Sequence, residues 1–261
     1  MRALLTSLLV TLSLSAANAI AQPTYAESER TWNFRVFLDE REIGYHRFAT
    51  RDADEQGGQF LDSEARFDVK ILFINAFKYR HRSEERWVDG CLQSIEAKTR
   101  TNGERNRVAG QADADGFRLR AVTANKKDGR DALDLDAQDA RQVDSGCVST
   151  FAYWDRAFVD RSQLLNPQTG EVVPVTISPM GQEMLDVSGV STPVLRYRIE
   201  TPDGEIQVCY TRAMGRWEWV RLETMIEGRQ LRYEREGGEE LPRMLAAATV
   251  DPLGGDQEGT R

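Results

Sequence analysis

Dipeptides in which glycine follows a polar or acidic residue, among them Asp89-Gly90, Asn102-Gly103, Asp203-Gly204 and Glu227-Gly228, punctuate runs that mix apolar and charged residues. Glycine tolerates the positive φ that a tight hairpin turn demands, so each dipeptide predicts a turn between antiparallel strands. The flanking runs fit. Tyr79 to Val88, Cys91 to Thr101, Glu205 to Tyr210, Arg216 to Thr224 and Arg229 to Glu236 each read as strands.

Trp32, Phe34 and Val36 share one face of an opening strand, and Asp39-Glu40-Arg41 separates it from a second run through Ile43, Tyr45 and Phe48. Further strands are predicted over Phe60 to Val69, Arg107 to Gln111, Phe117 to Val122, Glu171 to Ile177 and Val194 to Glu200; Ile71 to Phe77 suits a buried strand or a short helix. Ala124 to Ser145 is polar, can bury little apolar surface, and reads as an exposed connection. Ser149 to Leu165 is the best helix candidate, with Ser149 as cap, Phe151, Trp154, Phe158 and Leu165 at partly helical spacing, and Pro167 as a stop. The fold expected is mainly β: a curved antiparallel sheet or open β-barrel with a covering helix. Residues 29–236 would form one domain, with two smaller β halves as the alternative, and 237–261 an acidic flexible tail.

Arg2, the apolar run Leu4 to Leu14, and the small residues at Ala17, Ala19 and Ala21 predict a signal peptide over 1–21, followed by a flexible leader over 22–28. The run is shorter than a bilayer span. The expected location is therefore periplasmic or secreted, without a transmembrane domain. Cleavage after Ala21 removes one Arg and no acid, taking the net charge from -8 to -9. Nucleic acid is not an expected partner of so acidic a chain.

Cys91, Cys147 and Cys209 allow one disulfide in an oxidising compartment; Cys91 with Cys147 is the preferred pairing, although all three pairings stay open. A thiol- or serine-dependent hydrolase would need His46 or His81 beside a Cys or Ser in a cleft. Neither histidine sits in a metal motif, and Asp113-x-Asp115-Gly116 and Asp134-x-Asp136-x-x-Asp139 lack the terminal Glu of an EF-hand, so no metal or cofactor is expected.

The terminal hairpins WNFRVFLDEREIGYHRF and VCYTRAMGRWEWVRLETMIEGRQLRYERE resemble the two ends of the bacterial secreted family catalogued as domain of unknown function 6134. A looser similarity is to family 3108. The markers are Trp32, Gly44, Tyr45, Tyr153, Trp154, Trp217, Leu222, Gly228 and Tyr233, and the resemblance covers most of 29–236. It implies an exported β-rich domain and supplies no catalytic residue or substrate.

The aromatic residues suit a sheet-helix interior. They also suit a crevice between the sheet and residues 149–165, lined by Trp154 and Phe158 with Phe151, Tyr153 and Trp32, that would take a lipid or another apolar molecule. A non-enzymatic exported binding protein is the favoured reading. A protein-interaction or structural module of the cell envelope, with an envelope protein as partner, is the alternative, and the hydrolase is a third.

Overall fold

The computed structural model of the protein describes residues 29–53, 57–71, 74–125, 134–135, 139–143 and 146–250. The expected signal peptide 1–21, the leader 22–28, Phe73, Asp136, most of the polar connection and residues 251–261 lie outside them.

Strands dominate, as expected: β1 (Arg30–Leu38), β2 (Arg41–Asp52), β3 (Gln59–Ile71), β4 (Ile74–Val88), β5 (Cys91–Thr101), β6 (Glu104–Asp113), β7 (Gly116–Ala124) and β8 (Arg141–Val143). After the short β9 (Gln163–Leu165) and β10 (Val172–Pro174) come β11 (Thr176–Val187), β12 (Val190–Thr201), β13 (Gly204–Ala213), β14 (Arg216–Ile226) and β15 (Arg229–Glu236). Thirteen of them form one sheet in the order β11-β12-β13-β14-β15-β1-β2-β3-β4-β5-β6-β7-β8, while β9 and β10 pair separately. The sheet is thus two meanders joined where the first strand pairs antiparallel with the last, Val36 opposite Tyr233 and Arg35 opposite Glu234. The outermost strands, β11 and β8, are not hydrogen-bonded to each other among the described residues.

Turn chemistry explains the meanders. At Asp89-Gly90, Asn102-Gly103 and Glu227-Gly228 both residues have positive φ, the signature of the type I′ turn whose twist matches the flanking strands. Ser188-Gly189 and Met214-Gly215 do the same. The run Ile71 to Phe77 is divided between β3 and β4, which pair antiparallel from Gln59 opposite Trp87 to Ile71 opposite Ile74. Gly44 admits a close approach: a Cβ there would lie 1.9 Å from the Arg66 carbonyl oxygen, at φ +151°.

The helix expected over 149–165 does not form. Residues 146–175 run as an irregular strap with one 3-10 turn, Arg156–Asp160, capped by the Asp155 carboxylate accepting from the Ala157 amide. An α-helix would need the Ser149 carbonyl to accept from residue 153; that carbonyl instead accepts from Leu165 N–H, and Val148 O accepts from Leu92 N–H of β5. Among the described residues the α-helix lies elsewhere, in the segment read as an acidic tail: α1 (Glu240–Ala246) buries Leu241 and Leu245. They pack on Val187, Val194, Cys209 and Val220, a small cluster on the outer face of the sheet.

The main core lies on the inner face, beneath the strap. Cys91 and Cys147 are disulfide-bonded, tying the start of β5 to the start of the strap across a sequence separation of 56. Cys209 is the free cysteine. Closing a loop of this length restricts the unfolded chain by about 4 kcal/mol in the chain-entropy account. The double substitution Cys91→Ser with Cys147→Ser is expected to lower stability by about 2–4 kcal/mol. Urea unfolding at constant pH checks this; an unchanged midpoint would show that the strap holds without the covalent tie.

Candidate functional site

Register places the inward side chains of β2 to β5 in rows. Thr50, Leu61, Glu85 and Ile95 make one row; Phe48, Ser63, Ser83 and Ala97 the next; His46, Ala65, His81 and Thr99 a third; Gly44, Phe67, Tyr79 and Thr101 a fourth. The second and third rows are built largely from Ser, Ala and Thr. Such side chains cannot fill the depth between a sheet and a covering layer, and a cavity of about 650 Å³ remains there. Its size falls within the range of small-molecule sites.

Leu38, Ile43, Val69, Phe77, Ile226 and Leu231 form an apolar collar at one end of this cavity, and Phe151, Ala152, Pro167 and Gln168 of the strap also line it. Of the five residues expected to bind a ligand, Phe151 lines the cavity. Trp32, Tyr153, Trp154 and Phe158 pack instead into a filled floor. There Trp154 meets Trp32 and Trp87 at centroid distances of 6.3 and 5.9 Å, and Tyr153 meets Phe158 and Trp219 at 5.2 and 5.4 Å. The Tyr153 carbonyl accepts from the Tyr210 hydroxyl at 2.6 Å, which holds the strap to β13.

The polar lining was visible in the sequence as scattered residues; register is what gathers it. His46 Nε2 lies 2.8 Å from Ser63 Oγ and its Nδ1 3.4 Å from the Tyr233 hydroxyl. His81 Nδ1 lies 2.9 Å from Thr99 Oγ1. Glu85 accepts at one oxygen from Ser83 Oγ at 3.3 Å, and at the other from Trp87 Nε1 at 3.0 Å and Thr150 Oγ1 at 3.1 Å. The last bond fastens the strap to β4.

Burial sets the charge of this group. Desolvation, and then the nearby His81, hold the His46 imidazole well below its ordinary value; desolvation brings His81 down to about 4. Desolvation pushes the Glu85 carboxyl up to about 7, against the lowering effect of its three donors. Both imidazoles are therefore neutral at pH 7.

The remaining candidates are placed elsewhere. Cys91 and Cys147 are consumed by the disulfide, and Cys209 is buried on the outer face under α1, with burial pushing its thiol up to about 12. Asp113 accepts from the Asp115 amide and pairs with Arg118, as in an ordinary turn. Among the described residues, no group of three or more His, Cys, Asp or Glu could hold a metal ion, and no helix is long and apolar enough to cross a membrane.

Glu85 and the histidines give opposite pH dependences. Glu85 keeps its proton to about pH 7 when folded but only to 4.5 when unfolded, so its contribution to stability is lost as pH rises through 7. The histidines, neutral when folded, bind protons in the unfolded chain below 6.5, so their contribution is lost as pH falls below that value. Glu85→Gln removes the first effect alone. Its stability relative to wild type is expected to rise by on the order of 2–3 kcal/mol between pH 5 and pH 8. Denaturant unfolding of both proteins at the two pH values checks this; a constant difference would contradict it.

No curated protein matches the sequence. A crystal structure of a beta-barrel-like protein of the domain-of-unknown-function family DUF1849, from Brucella abortus, is similar with a TM-score of 0.52 at 10% identity, covering 80% of this chain and 94% of that one. At that identity the likeness carries the fold alone. The domain of unknown function DUF6134 matches residues 34–236, the interval from the core of β1 to the end of β15. The chain belongs to the DUF6134 family.

Proposed function

We propose that the protein is an exported carrier or sensor that binds a lipid or another apolar small molecule in the cavity between the sheet and the strap. The observation that carries this reading is the cavity of about 650 Å³ itself, with its collar of aliphatic and aromatic side chains. Apolar side chains gain from contact with an apolar guest, and the few polar groups orient it. A protein-interaction module would be better served by a filled interior. The residue pattern at 1–21 and the Cys91–Cys147 disulfide support a periplasmic or secreted location.

In this reading the sheet curls around its strap as an open barrel. The strap's reach supports the curvature. Val148 is bonded to β5 and Tyr153 to β13, strands seven positions apart in the sheet order. Seven strand spacings on a flat sheet amount to about 34 Å. Five residues of extended chain cover about 18 Å, too little even with a tyrosine side chain added.

A second reading, serine-dependent hydrolysis, is favoured by the 2.8 Å contact between His46 Nε2 and Ser63 Oγ. Several features weigh against it. Ser63 is mid-strand with partners on both sides, Phe48 and Ser83, so ladder bonds occupy the backbone amides that would form an oxyanion hole. Desolvation makes His46 a weak base, and its other nitrogen faces a tyrosine hydroxyl at 3.4 Å, not a carboxylate.

Val69→Trp, which narrows the collar, is expected to weaken binding of the fluorescent probe N-phenyl-1-naphthylamine at least about tenfold while leaving the circular dichroism spectrum unchanged. Fluorescence titration of both proteins checks this; equal affinities would place the probe outside the cavity. Hydrolysis of short p-nitrophenyl esters by wild type, abolished in Ser63→Ala, would overturn the carrier reading in favour of the enzyme.

A further inference from the structure

The cavity has an inverted polarity. Along β4, the inward residues run Phe77, Tyr79, His81, Ser83, Glu85, Trp87, and the strap bond from Thr150 to Glu85 marks the closed end. The collar residues Leu38, Ile226 and Arg229 flank the hairpin turns at Asp39 and Glu227. An entering molecule therefore passes Asn102, Glu227 and Arg229 at the rim, crosses the apolar collar, and meets His81, Ser83 and Glu85 at depth.

We infer that the cavity takes an amphiphile inserted head first, whose head is an uncharged hydrogen-bonding group such as a hydroxyl or an amide. This rests on the reading of the cavity as a ligand site. Below about pH 7 the deep rows offer a charged head no counterion, since burial leaves both imidazoles neutral and the Glu85 carboxyl protonated. The cation among the lining residues is Arg229, at the mouth, where it is paired with Asp39 at 2.8 Å. A carboxylate or phosphate driven to the deep end would lose its hydration without gaining a positive partner, and would approach the Glu85 carboxyl. An ammonium head would find the Glu85 oxygens already accepting from Ser83, Trp87 and Thr150.

A neutral head is matched at one specific atom. His81 is 5% exposed, its Nδ1 is bonded to Thr99, and its Nε2 has no protein partner among the described residues. The ring lines the cavity. Depending on tautomer, Nε2 donates or accepts. A hydroxyl can answer either way, whereas a carboxylate only accepts and an ammonium only donates. Burial keeps this imidazole neutral, which removes the one means by which it could attract an anion. Ser63, in the adjoining row, adds a hydroxyl within the same depth.

Competition against N-phenyl-1-naphthylamine on the full mature protein at pH 6.0, where Glu85 holds its proton and His81 is neutral, with decan-1-ol, decanoate and decylamine as ten-carbon probes, tests the inference. Decanol is expected to compete at least about tenfold more tightly than either ion. His81→Phe, which keeps a ring and loses Nε2, is expected to cut that preference to under about twofold while retaining the naphthylamine probe; Ser63→Ala provides a second, smaller change. Decanoate or decylamine competing as well as decanol in wild type overturns the head assignment and leaves the carrier reading standing. So does a preference for decanol unaltered in both variants. Absence of any probe binding to wild type removes the carrier reading itself, and with it this inference.

Discussion

The inner face depends on the fastening of one irregular segment. A sheet that presents Trp32, Phe34, Trp87, Tyr210 and Trp219 on one side cannot leave that side to water, and the cover here is a strap whose only sheet among the described residues is the two-stranded pair β9 and β10. The strap does so without regular structure of its own over most of its length. Its stability is therefore borrowed: the disulfide at Cys147, the Thr150 bond to Glu85, the Tyr153 carbonyl to Tyr210, and Arg156 to the Tyr197 hydroxyl. These ties reach β5, β4, β13 and β12 in turn. Of these, the Tyr153 carbonyl is a backbone group that a helix would have needed for itself.

Given that covering layer, side-chain volume along the strands decides where the interior is full and where it is empty. β4 shows the division within one strand, where Trp87 sits in the floor, His81, Ser83 and Glu85 border the cavity at depth, and Phe77 and Tyr79 form part of its wall. On β3 the order is Leu61, Ser63, Ala65, Phe67, with the small pair Ser63 and Ala65 opposite Ser83 and His81 of β4. Packing in proteins is dense enough that the small residues Ser63, Ala65, Ser83, Ala97 and Thr99, adjacent on three strands, leave a void where the strap does not fill it. The strap offers Phe151, Ala152, Pro167 and Gln168 at the cavity wall, which do not fill it. The cavity is thus written into paired strands and does not arise from a loose fit of the strap.

Much of this was legible from the chain alone, and the failures have definite causes. The turns were readable because Asp89-Gly90 and Asn102-Gly103 name a backbone conformation directly. β11 was obscured by Pro179 and Gly181, which read as strand breakers; the strand lies at the sheet edge and carries a bulge between those residues, both of which make such residues tolerable. The strap looked helical because Phe151, Trp154 and Phe158 are spaced by three and four. Spacing cannot report that Ser149 O is already taken by Leu165, a contact between residues sixteen apart. α1 is only seven residues long and places Pro242 in its first turn, where proline is tolerated but gives little periodic signal. The site was half legible for a related reason. Large aromatic residues stand out in a sequence and were assigned to the ligand, yet size is what fits Trp32, Trp154 and Phe158 for the floor. Ser63 and Ser83 carry no signal until β2 to β5 are aligned.

Catalysis and binding make opposite demands on the buried polar group. A general base must take a proton readily and hold it while charge develops nearby, which requires an orienting carboxylate and donors aimed at the new charge. His46 has Ser63 on one nitrogen and Tyr233 on the other, and its burial opposes protonation. The Glu85 carboxyl, which could have oriented an imidazole, is turned to Trp87, Thr150 and Ser83. Burial, against the effect of those donors on Glu85, pushes each of these side chains toward its uncharged form. A cavity whose acids and bases are shifted toward neutrality by burial is poorly suited to stabilise developing charge, while its donors and acceptors suit a guest that is neutral as well. In the proposed carrier, the electrostatics of the deep rows and the apolar collar would therefore favour the same property, a molecule that enters and leaves without changing charge.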